Sequence, residues 1–357
     1  MSVDSRPGLP GLPSDVAALL ARADAAGRGA RRYLAATIDD LFLPDEYRLD
    51  DRTRARLGLL LRSTIVAIGA DLHARCWAQR GAAPGNSFEA APLIARLAAS
   101  DALRDPELIG ELLDRTRQDL LGEALRANRP PGAQMPLLSR LVEGRDQAVA
   151  AAARSYRLAE SRSAAGDAGA GELLTPAMGL RAAWLVAAAL RPTFQAEGRD
   201  ADRLIVAAVE QHLLARDEAA SLERCAAELA RMIDREPSDP ATMLVDALDD
   251  GSVALFVAML ARRMAVAPRI VGALTLEPGG HRLWLALRSL DIGRAAIARI
   301  GYLLAEADPR RDLEAFGALL DTIAAVPAAA ARDALADLAL PPAYRAAIAA
   351  VEGGPRP

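Results

Sequence analysis

Apolar residues return at helical spacing through almost the whole of this chain. After Asp50 and Asp51, residues Leu57, Leu60, Leu61, Ile65, Ile68 and Leu72 recur every three or four positions, so one helix is expected to run to about Gln79. Val16, Leu19 and Leu20 predict an earlier helix opened by Ser14, and Tyr33, Leu34, Ile38, Leu41 and Phe42 predict another, stopped by Pro44. No segment shows the alternation of a half-buried strand.

From Leu173 onward, helices of about 10 to 18 residues are expected. Gly198, Asp217, Pro237, Gly251, Pro268, Pro278-Gly279-Gly280, Pro309, Pro327 and Pro341-Pro342 punctuate them. Asp105-Pro106, Asp239-Pro240 and Asp308-Pro309 each read as a helix start, because the acid caps free amides and proline has no donor to lose in the first turn. Thr175-Pro176 reads the same way. The intervals are irregular, so no repeat of fixed length is assigned. Short helices with one apolar stripe must hide it against neighbours, and stacked helical hairpins do so. The expected fold is all-α, a solenoid or an irregular helical array.

Asn128 to Gly132 cannot continue a helix, and Ser161 to Gly171 is dominated by Ser, Ala and Gly. The expected organisation is a flexible 1–13, a helical region over 14–160, a flexible connector over 161–172, a helical array over 173–352 and a short tail over 353–357.

Every cationic side chain is arginine: 43 of them and no lysine. Schiff-base, phosphate-loop and kinase lysines are therefore excluded. Arginine without lysine also follows from GC-rich codon usage, so it does not by itself indicate phosphate recognition. A net charge of -4 disfavours nucleic acid as a partner. Hydrophobic residues make up 52% of the chain but aromatics only 4%, so the core must be built from Ala, Leu, Val and Ile. Two cysteines, Cys76 and Cys225, suggest no disulfide framework and fit a cytoplasmic location. The proline- and glycine-bearing N-terminus lacks the apolar core of a secretory signal, and apolar runs such as Ala182 to Leu190 fall short of the roughly 18 to 20 residues that span a bilayer.

Little catalytic chemistry remains. His73 and Cys76 share a helix face as His-x-x-Cys, but a zinc site needs two more ligands and no partner spacing supplies them. A buried cysteine beside a partly exposed histidine is the expectation, and no metal or cofactor is assigned. A phospho-accepting role for His73 lacks the adjoining acid, since Leu72 and Ala74 flank it. The six acids from Asp39 to Asp51 lack the glycine and terminal glutamate of a calcium loop. The most suggestive segment is Glu277-Pro-Gly-Gly-His-Arg282. There Gly279 and Gly280 let backbone amides approach a ligand, and His281 and Arg282 have the chemistry for an anion at a helix start. The alternative is a glycine break that lets Trp284 pack inward.

Asp40-Leu-Phe-Leu-Pro44, Arg48-Leu-Asp-Asp-Arg52 and the leucine-rich helix after them resemble the opening of a bacterial family defined only as domain of unknown function 2336. So do Gly279-Gly-His-Arg-Leu-Trp284, Leu287-Arg-Ser-Leu290, Ile297-Ala-Arg-Ile-Gly301 and Leu304-Ala-Glu-Ala-Asp308. The resemblance implies a HEAT-like helical fold and no assigned activity, so no catalytic role is carried over. The leading expectation is a non-enzymatic helical array that binds another protein. An anion or small-ligand sensor contacting its ligand through Gly279, Gly280, His281, Arg282 and Trp284 is the alternative, and a nucleic-acid-binding regulator comes third.

Overall fold

In the computed structural model, residues 15–23, 49–80, 88–100, 102–130, 132, 134–165, 174–195, 200–215, 221–235 and 239–352 are described. The expected helix over 33–42, the acids from Asp39 to Glu46 and the two termini lie outside them. Among the described residues there is no strand. The helices are α1 (Asp51–Gln79), α2 (Ala90–Ala99), α3 (Pro106–Asn128), α4 (Leu137–Glu143), α5 (Gln147–Ala165), α6 (Pro176–Gln195), α7 (Ala201–Leu214) and α8 (Leu222–Ile233). There follow α9 (Pro240–Asp249), α10 (Val253–Met264), α11 (Pro268–Thr275), α12 (His281–Ser289), α13 (Arg294–Ala307), α14 (Leu313–Ala325), α15 (Ala328–Ala334), a 3-10 turn (Ala336–Ala339) and α16 (Pro342–Glu352). Residues 15–23 form a further helical segment with Val16, Leu19 and Ala23 buried.

Several starts follow from capping. Asp50 accepts from the Thr53 amide at 2.9 Å and opens α1. Asp105 accepts from Glu107 and Leu108 at α3, and Asp239 from Ala241 and Thr242 at α9. Pro176 begins α6, although the Thr175 hydroxyl is turned to Glu111 at 2.9 Å. Asp308-Pro309 does not open a helix. The Asp308 carboxylate is taken by the Arg310 amide and guanidinium, and α14 starts four residues later, where Asp312 caps Ala315. Helix α5 continues through Ala165, into the stretch expected as a connector.

The chain forms two compact units, each assembled from separated segments: 1–32 with 121–150 and 226–357, and 33–120 with 151–225. They do not follow the expected division at 161–172, and the chain passes between them within α3, α5 and α8.

In the unit of 33–120 and 151–225, α1 is the centre. It packs on α2, α6 and α7, burying Leu57, Leu61, Ile65, Ile68 and Leu72 against Leu93, Val186, Phe194 and Val209. Gly69 permits the close approach of α2, since a Cβ there would lie 2.6 Å from Leu93. Helix α1 is long and apolar enough to cross a membrane, which unbroken apolar runs in the sequence did not show because Arg62 and Asp71 interrupt it. Its partners α6 and α7 lie more than a hundred residues further along, so this unit is not stacked only between sequence neighbours.

In the other unit, α10 is buried continuously from Leu255 to Ala261, as a helix apolar on all sides must be. Helices α10 and α11 pair, as do α13 and α14, while α12 lies against α15.

Candidate functional site

Glu277 to Gly280 link α11 to α12, and His281 to Trp284 form the first turn of α12. Gly280 has φ +61°, its N–H is bonded to the Glu277 carbonyl, and a Cβ on it would lie 2.7 Å from the Trp284 indole. Trp284 is buried with its ring 4.8 Å from that of Phe316. Glu277, with its side chain only 8% exposed, accepts from Arg282 Nε at 2.8 Å, and its other oxygen stands 3.9 Å from His281 Nδ1.

Two further arginines close the same end of α11. Arg310 donates to the Leu276 carbonyl at 3.4 Å and Arg311 to that of Thr275 at 2.5 Å, capping the negative end of the helix. Burial pushes Arg311 down to about 10, and Asp308 stands 3.7 Å from it. Burial also raises Asp308, but the Arg310 bonds and the charges of Arg310 and Arg311 outweigh it and hold the carboxyl below its usual range. Burial lowers His281, with Arg22 acting in the same direction and Glu277 opposing. Thus the groups expected to receive an anion have partners within the chain: Arg282 on Glu277, and the Gly280 amide on the Glu277 carbonyl.

His73 and Cys76 share the inner face of α1. His73 is 6% exposed, more buried than expected, because its ring fits among Trp77, Phe88 and Phe194. Its Nε2 accepts from the Trp77 indole N–H. Burial pushes the Cys76 thiol up to about 11, and its Sγ faces the Leu204 carbonyl at 3.8 Å. His212 lies elsewhere, with Nδ1 2.6 Å from Asp71. Among the described residues, no three His, Cys, Asp or Glu side chains converge as a metal site requires.

The surface of α6 is different. Three of its sides meet α1, α2 and α7. On the remaining side, Leu180 is 43% and Trp184 40% exposed, one turn apart, with Ala177 and Ala188 exposed on the same face. Ion pairs flank this apolar stripe: Arg181 with Asp105 and Glu107, and Arg191 bidentate on Asp202. The Arg191 hydrogen bonds hold Asp202 below the usual carboxylate range.

No family model, curated protein or solved structure matches this chain.

Leu180 and Trp184 were not legible as a face because α6 carries apolar residues on every side. Met178, Ala182, Ala183, Val186 and Leu190 are buried on it, and only the placement of its neighbours decides which others stay outside. Asp105 and Glu107 could be read as a helix start but not as partners of Arg181.

Proposed function

We propose that this protein is a non-enzymatic helical adaptor that binds another protein through the outward face of α6, with Leu180 and Trp184 as the contact centre. The observation that carries this reading is the pair of half-exposed large apolar side chains one turn apart, bordered by ion pairs. Tryptophan is enriched among residues that dominate binding energy, and exposed apolar patches mark interaction sites. The scarcity of catalytic residue types supports a binding role, and an all-helical architecture is compatible with it by analogy only. A reducing, cytoplasmic setting belongs to this reading, because two cysteines far apart in sequence suggest no disulfide framework.

A photo-crosslinking residue at position 180 in the native cell should give a discrete adduct that the same residue at exposed Tyr344 does not. Trp184→Ala should then weaken the purified partner by about tenfold or more, while Tyr344→Ala leaves it unchanged. Identical adducts at both positions sink the proposal. So does turnover of a substrate that is lost on changing a histidine or acid.

A further inference from the structure

A pocket of about 410 Å³ opens in the unit that holds 121–150 and 226–357. Its wall is built from Arg129 and Met135 on the turn after α3, Arg140 on α4, Asp246 and Asp249 at the end of α9, and Arg299 on α13. Asp250 and Val245 also line it, with Pro130, Gly132, Gln134 and Leu137. The volume lies within the range of small-molecule sites.

The three guanidinium groups and three carboxylates balance, but they are not placed alike. Arg140 and Arg299 are 41% and 44% exposed, while the aspartates lie deeper. The inner carboxylates are already partnered. Asp250 accepts from the Leu137 amide and from Arg129 at 3.2 Å, and Asp249 accepts from Arg129 and, at 2.6 Å, from Arg299. At the rim the balance is reversed. Among the described residues Arg140 hydrogen-bonds only Asp246 and Arg299 only Asp249, with Arg299 also lying 5.8 Å over the Tyr302 ring, so each guanidinium spends one of its five donors.

A bare anion would meet these donors but also three carboxylates. A bare cation would meet three guanidinium groups. A molecule with both charges suits each: its carboxylate takes the spare donors of Arg140 and Arg299, and its ammonium faces Asp246, which has one arginine partner. Half-exposed Met135 and partly buried Val245 offer an apolar surface beside them.

We propose that this pocket binds a free α-amino acid with an apolar side chain, held as a dipolar ion between the Arg140 and Arg299 guanidinium groups and the Asp246 carboxylate. The site shares no residue with the Leu180 and Trp184 face and stands or falls separately from the docking role.

Titration calorimetry of the full chain with L-leucine tests it, alongside the two molecules that each lack one of its charges, 4-methylpentanoate and 3-methylbutylamine. Saturable binding of leucine is expected, with both analogues weaker by about tenfold or more. Arg299→Gln should weaken leucine and 4-methylpentanoate but not the amine, and a circular dichroism melt checks that this variant is folded. No saturable binding of leucine, phenylalanine or methionine up to about 10 mM overturns the proposal. So does binding of inorganic phosphate, or of either single-charge analogue, as tight as that of leucine.

Discussion

Trp77 donates its indole N–H to Nε2 of His73, one helical turn earlier on α1, across 3.1 Å. An imidazole nitrogen that accepts carries no proton, so His73 is neutral and protonated at Nδ1. Burial among aromatic rings favours that form and lowers its pKa from the ordinary 6.5. The folded chain therefore binds fewer protons here than the unfolded chain. Stability contributed by neutral His73 is full above about pH 6.5 and falls as the pH drops from there toward the folded-state pKa, by at most about 1.4 kcal/mol per pH unit. Urea unfolding at pH 7.5, 6.5 and 5.5 should show a shallower loss for His73→Phe than for the parent chain. His281, also lowered, keeps part of the slope in both. Parallel curves would show that His73 does not drive the effect.

Two glycines in helices should respond to alanine with opposite signs. A Cβ at Gly58 meets nothing within 4 Å, so Gly58→Ala is expected to stabilise by about 0.5–1 kcal/mol through helix propensity alone. A Cβ at Gly301 would fall 2.0 Å from the Phe316 ring, which is in turn packed on Trp284. Overpacking there should cost about 1–3 kcal/mol and outweigh the helix gain. Denaturant midpoints of the two variants read both effects, and a stabilised Gly301→Ala would show that α14 shifts freely on α13.

Arg115 ties three helices together. From α3 it reaches Ser163 on α5, Glu223 on α8 and, at 3.2 Å, Asp119 on its own helix. Its side chain is buried, so Arg115→Met keeps the volume and strands those partners. A loss of about 1.5–3 kcal/mol is expected, the scale of a buried hydrogen bond to a charged group. Arg115→Lys should recover only part, because an ammonium lacks the fork that spans separate acceptors. The exposed Arg181→Met should change stability by no more than about 1 kcal/mol. Equal midpoints for Arg115→Met and Arg181→Met would refute this role.

How much of this was legible beforehand varies residue by residue. The bounds of α1 followed from the leucine and isoleucine spacing after Asp50, because both the period and the cap are local. The start signal at Asp308 failed because the same carboxylate satisfies nearby guanidinium groups as readily as backbone amides. Gly279 and Gly280 read either as a ligand loop or as a glycine break with Trp284 inward, and the structure has the break, with Gly280 at φ +61° and Trp284 buried. The sequence could not show that Glu277 would occupy Arg282, or that Arg310 and Arg311 would arrive from beyond α13 to cap α11.

By itself the sequence determined an all-helical chain, where most of its helices begin, and how few reactive groups it carries. These depend on interactions within a few residues along the backbone. Only the tertiary structure decided that α1 would meet α7, that Leu180 and Trp184 would be left outside on an otherwise packed helix, and that Arg140, Asp246 and Arg299 would border one pocket. Those outcomes depend on which stripes bury one another across long stretches of chain, and many pairings of Ala- and Leu-rich helices satisfy the same local pattern.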